Sequence, residues 1–201
     1  MARTPSTQRL PLGQPPPDFS LPDPSGQTFR LQAIAEKRPT VVLFACNHCP
    51  YVVHIRNALG RLAKEYLARG VAFVAINSND ARQYPEDAPD RMPAFAREGG
   101  WTFPYLVDES QQVARAWHAA CTPDFFVLDA TGKLAYAGQF DSSRPGNGET
   151  VDGRDLRAVL EALLAGRPVP SPQKPSLGCN CLLYTSPSPR DLSTSRMPSS
   201  A

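Results

Sequence analysis

The sequence predicts one α/β domain of three layers, a mixed sheet flanked by helices and led by an N-terminal hairpin. Three observations predict it. Two apolar runs of strand length, Thr40–Ala45 and Val71–Ile76, enclose a helical stretch of about 20 residues, which is a βαβ unit with a right-handed crossover and parallel strands. Two later runs, 122–129 and 133–138, are joined by Ala130-Thr-Gly132, a connection short enough for an antiparallel hairpin. A hydrophobic content of 41% over 201 residues can bury one good core but is short for two independent domains.

Taken in order, residues 1–14 are polar and Pro-containing, the composition of a loose arm, and Pro15-Pro-Pro17 punctuates its end. Residues 15–180 then carry the domain. Asp18–Leu21 and Gln27–Arg30, separated by Pro22-Asp-Pro-Ser-Gly26, predict a small hairpin. After the first core strand, Val52, Ile55, Leu59, Leu62 and Tyr66 recur at steps of three and four from Pro50 onward, one face of a helix stopped by Gly70. Because the two βαβ strands end on one edge, and ligands of open α/β sheets gather outside the carboxyl ends of strands, Asn77–Asp80 is expected on the same rim as the residues that follow Ala45. The polar segment through Pro93 is expected to be loop and short helix there. Further along, 92–98 predicts a helix, Tyr105–Val107 a strand, and 109–119 a helix with Val113, Ala116 and Trp117 apolar. Asp152 is expected to cap a last helix, Leu156–Leu164, ended by Gly166.

Composition excludes several classes. The formal charge of +2 comes from 21 basic and 19 acidic residues without a basic stripe, so no nucleic-acid partner is expected. No run of about 18 apolar residues occurs, and the start MARTPSTQRLPLGQPPP has no apolar h-region. A cytoplasmic setting without membrane contact is therefore expected, where five cysteines point to catalytic, metal-binding or buried thiols rather than a disulfide framework. Residues 181–201 break from the rest: they are Ser/Pro-rich, lack periodicity, and back-translate into adapter-like nucleotide sequence. They are expected to be a non-native read-through tail and are set aside.

The stretch FACNHCPY, residues 44–51, places Cys46 and Cys49 at a strand-to-helix turn. A redox pair, a peroxide-reducing thiol, half of a metal site and two buried small residues all fit a lone Cys-x-x-Cys. A thiolate near a helix N-terminus is stabilised by the dipole and by free backbone N–H groups, which makes Cys46 the expected attacking sulfur and an exposed one. Cys49, one turn in, would resolve a mixed disulfide.

The chain resembles the thioredoxin-fold, peroxiredoxin-like (AhpC/TSA-related) proteins that carry a Cys-x-x-Cys pair. The resemblance runs over about residues 15–180, through FACNHCPYVVHI, INSNDARQYPEDAP, FPYLVDESQQVARAW, CTPDFFVLD, GQFDSSRPGN and KPSLGC. It implies a thioredoxin-like fold, thiol–disulfide oxidoreductase chemistry, and a cis-proline at Pro123 whose preceding residue, Thr122, faces the cysteine pair. Asn47, His48 and Pro50 shape the site; His48 matches the histidine that, in disulfide-forming relatives of thioredoxin, favours the thiolate form. With no acid in Thr40–Ala45, the pair is expected to be more oxidising than thioredoxin, nearer roughly −180 mV than about −270 mV.

Two other thiols enter the expectation: Cys121, two residues before Pro123, and Cys179, in the family-like KPSLGC block, are candidate third thiols. Three weaker candidates are His54, expected to pack or be solvated, His118, expected at a helix end, and Arg144, expected in a turn. The partners expected are a protein or small-molecule thiol or disulfide substrate and an electron donor of unknown identity, with no cofactor and no resident metal. Two alternatives stay open. Cys49-Pro50 resembles the peroxidatic Cys-Pro of peroxiredoxins, but those enzymes place a threonine three residues earlier and a proline four before that, where this chain has Cys46 and Val42. Cys46 and Cys49 with Cys121 or His48 would also suit zinc or copper(I) in a metal-delivery module.

Overall fold

The computed structural model describes residues 3–6, 10–180 and 182. Its elements in chain order are Arg3–Pro5 (β1), Ser20–Pro22 (β2), Thr28–Arg30 (β3), Leu31–Ala35 (α1), Thr40–Phe44 (β4), Pro50–Leu67 (α2), Ala72–Asn77 (β5), Met92–Glu98 (α3), Tyr105–Val107 (β6), Gln112–Ala116 (α4), Asp124–Leu128 (β7), Leu134–Gly138 (β8), Arg154–Leu164 (α5) and Leu177–Cys179 (β9).

The central sheet has the order β6-β5-β4-β7-β8. β4 pairs parallel with β5 and antiparallel with β7, so the βαβ unit and the late hairpin meet on β4. β2 and β3 form the expected hairpin. β4 is buried throughout because both faces of the sheet are covered: Val41 and Leu43 join the core shared with α2 and α5, while Val42 and Phe44 join the opposite core around Trp117 and Phe126. β7 alternates in the same way, Phe125 and Val127 against Phe126 and Leu128. On α2 all five residues of the predicted stripe are buried, each contributing roughly 1.5–3 kcal/mol. Among the described residues no helix is long and apolar enough to cross a membrane.

The structure corrects the sequence at three places. Arg3–Pro5, expected in the loose arm, is a strand paired with β9, and Gly13 and Gln14 exchange backbone hydrogen bonds with Leu134; residues 7–9 lie outside the described set. The helix expected over 109–119 shortens to α4, because Asp108 accepts from the Ala114 N–H and the Ser78 hydroxyl while Gln111 and His118 adopt positive φ at either end. The last helix begins at Arg154, whose N–H reaches Asp152 Oδ1 across Gly153. In the tail set aside, Leu182 is buried against the second core; residue 181 and residues 183–201 lie outside the described set, and with them Cys181.

Candidate redox site

The turn after β4 is held from across the sheet rim. Asp87, in the loop after β5, is fully buried and takes the backbone N–H groups of Asn47 (2.6 Å) and His48 (3.1 Å) on Oδ1. Its Oδ2 faces His48 Nδ1 at 2.5 Å and accepts from Asn79 Nδ2 at 2.8 Å. A buried carboxylate is tolerable when its acceptor capacity is filled, and these four neighbours fill it. Asn77 Nδ2 holds the Asp87 carbonyl, Asn47 Nδ2 the Glu86 carbonyl, and the His48 ring stacks on Tyr84 at 4.4 Å. The 77–80 segment thus lies on the rim with the cysteines, as the strand order requires.

Asp87 is the site residue that sequence reasoning missed. The strand order places the loop on the rim, but nothing local in the sequence distinguishes Asp87 from Asp80 or Asp90. One expectation changes with it: an acid absent from Thr40–Ala45 arrives from 40 residues away, and it holds the two backbone N–H groups that follow Cys46.

Thr122 lies on the other side of the turn, and the peptide bond to Pro123 is cis. Cys46 Sγ is 3.4 Å from Thr122 Oγ1, and the Cys49 thiol donates to the Thr122 carbonyl at 3.1 Å. These partners differ chemically. A hydroxyl can donate to a thiolate, whereas a carbonyl only accepts, so these two contacts favour charge on Cys46 and a proton on Cys49. Cys49 is the N-cap of α2 and Pro50 its first residue, where a missing N–H costs nothing.

Both sulfurs are closed off. Cys46, expected to be exposed, is as completely buried as Cys49, Cys121 and Cys179. Two recesses flank the turn, one lined by Asn77, Asn79 and Asp87, the other by Tyr51, Pro123 and Leu177; neither is lined by a cysteine. The cover includes β9. Cys179 Sγ lies 3.3 Å from Thr122 Oγ1 and 3.7 Å from the Thr122 carbonyl, placing a third thiol on the residue that both others touch. Cys121 turns away, donating to the Pro123 carbonyl at 3.6 Å. Burial, then the charges of Asp124, Cys179 and Cys49, push its thiol well above the usual range.

The remaining candidates fall outside the site. His54 is half-buried on α2, its Nε2 without a hydrogen-bond partner among the described residues. His118 is exposed just past α4. Arg144 clasps its own loop through the Asp141 and Ser143 carbonyls and Gln139 Oε1. Beside the cysteines, Tyr105 hydrogen-bonds Asn47 Oδ1 at 3.1 Å, and burial followed by the charges of Cys46, Asp87 and Cys49 keeps its phenol well above the usual range.

Solved structures resemble the whole arrangement. An uncharacterized conserved protein from Geobacillus kaustophilus is 50% identical with a TM-score of 0.87, covering 92% of this chain and 98% of its own. A hypothetical protein from Sinorhizobium meliloti 1021 is 48% identical with a TM-score of 0.86, covering 91% and 99%. Among curated proteins, the thiol-disulfide oxidoreductase ResA of Geobacillus thermodenitrificans is 28% identical over 125 residues, 61% of this chain and 66% of that protein's length. The fold is thioredoxin-like. Residues 12–137, from the approach to the hairpin through β4, the cysteine turn and most of β8, match the AhpC/TSA family, and the chain belongs to that family.

Proposed function

We propose that the protein is a thiol–disulfide oxidoreductase working through Cys46 and Cys49 opposite Thr122 and the cis-proline. The carrying observation is that the two sulfurs meet opposite kinds of polar atom on Thr122, a hydroxyl at 3.4 Å and a carbonyl at 3.1 Å. Cys46 as thiolate attacks a substrate disulfide, forming a mixed disulfide and expelling one substrate thiolate. Cys49 then attacks the Cys46 sulfur, so that the substrate is reduced by two electrons and the pair is oxidised. The ResA likeness supports this class. The substrate is a protein or small-molecule disulfide, the setting is cytoplasmic, and a thiol donor restores the pair.

Incubating the Cys49→Ser variant with glutathione disulfide tests the assignment: one glutathione should remain on Cys46, and none should remain in Cys46→Ser. An adduct on Cys49 in the second variant, or on neither, overturns the roles.

A metal-binding reading has one observation of its own. Ligand atoms of Cys46, His48 and Asp87 lie within 4.8 Å of one another, a donor set suited to zinc. A metal there would displace the His48–Asp87 hydrogen bond. Stoichiometric metal in protein purified under reducing conditions, lost in Asp87→Ala, would favour this reading over the first.

A further inference from the structure

Cys179 is positioned more strictly than packing requires. Its N–H donates to the Thr122 carbonyl at 3.1 Å and its carbonyl accepts from the Thr122 N–H at 3.2 Å, an isolated antiparallel bridge. On the other edge of β9, Arg3 is paired with Cys179, and β9 packs against α2. At Gly178 a Cβ would meet the Thr122 carbonyl oxygen at 2.0 Å, so the two backbones come this close only because that residue has no side chain. The result is a thiol held beside two others on the hydroxyl and the carbonyl of one threonine, while Cys121, equally buried, is aimed elsewhere.

We propose that Cys179 is a third redox thiol of this site, taking over the disulfide from Cys46–Cys49 to form Cys49–Cys179 and release Cys46. This rests on the reading of Cys46 and Cys49 as a redox pair. Cys179 as thiolate attacks the Cys49 sulfur; the Cys49–Cys179 bond forms, the Cys46–Cys49 bond breaks, and the electron pair leaves on Cys46. No net oxidation occurs, since one disulfide and one thiol become one disulfide and one thiol. Thr122 Oγ1, 3.3 Å from Cys179 and 3.4 Å from Cys46, is placed to take the proton of the first and pass its own to the second. Cys46 is the better leaving group because the hydroxyl beside it can stabilise the departing charge, whereas Cys49 faces a carbonyl; the more stable thiolate leaves faster. Cys46 is thereby restored for a second attack while the first disulfide is stored behind it.

The test is disulfide mapping of the full chain, oxidised with one equivalent of diamide, quenched in acid, blocked with N-ethylmaleimide and digested with pepsin. The expected product is a Cys49–Cys179 linked peptide in the wild type, with the same link and a loss of two thiols in Cys46→Ser, and a Cys46–Cys49 link in Cys179→Ser. A wild type holding only Cys46–Cys49, with Cys179 alkylated there and in Cys46→Ser, overturns this proposal and leaves the redox pair standing. A Cys46–Cys179 link overturns the assigned order. Absence of any link among the three overturns the redox reading as well. The wild-type map needs no variant to fold.

Discussion

Thr122 and Cys179 exchange both of their backbone hydrogen bonds, N–H to carbonyl in each direction at 3.2 and 3.1 Å. The backbone beside the cis-proline is therefore occupied by the chain's own last described strand, and β9 forms part of the cover over the thiols.

Gly178→Ala should push β9 off Thr122. The added Cβ would collide with a backbone oxygen, and overpacking together with a strained bridge costs roughly 3 kcal/mol. Urea unfolding should show the loss, and iodoacetamide should label Cys46 faster than in the wild type. Unchanged labelling would mean that β9 does not gate the site.

All four described cysteines are buried, so alkylation of the folded protein should be at least about tenfold slower than of the unfolded chain. Cys46 should react first among them and Cys121 last, since burial holds the Cys121 thiol protonated. Mass spectrometry of a labelling time course reads the order directly.

Asp124 sets a pH dependence. It is fully buried, and desolvation, opposed by the Ala120 N–H and the hydroxyls of Ser176 and Ser6, pushes its carboxyl up to about 7 from 3.8. Between these values the native state holds a proton that the unfolded chain has lost, so this contribution to stability is full below pH 3.8 and is lost as pH rises through 7. The ceiling is roughly 4 kcal/mol. In Asp124→Asn that slope should vanish, seen as a smaller difference in urea midpoint between pH 5 and pH 8.

Asp87→Asn should raise the reduction potential by tens of millivolts, because it removes a buried negative charge close to Cys46 and so favours the thiolate state. It should also cost about 1–3 kcal/mol through the disturbed turn. A glutathione titration checks the first and urea unfolding the second. His48→Pro is a poor substitute, since proline would delete the N–H that Asp87 accepts.

The core of this fold was legible because it is local. Strand runs such as Thr40–Ala45, the stripe from Val52 to Tyr66 and the Ala130-Thr-Gly132 connection each declare themselves within a few residues, and the rule for parallel strands carries Asn77–Asp80 to the rim of Cys46 and Cys49. β1, α1 and β9 were not legible. Two are three residues long and α1 is five, too short for a period, and β1 and β9 are held by remote backbone, β1 by β9 and β9 also by Thr122.

The sequence by itself determined the sheet, the turn that carries Cys46 and Cys49, and the proline beside it. Tertiary structure alone decided the surroundings of those sulfurs. Asp87 reaches the turn from 40 residues away and Cys179 reaches Thr122 from 57 away, at distances where no pattern in the chain records a contact. Whether a thiol is open or closed, faces a hydroxyl or a carbonyl, or has an acid nearby depends on which remote backbone is folded against it. That is why the exposure expected of Cys46 and the absence expected of an acid were both reversed.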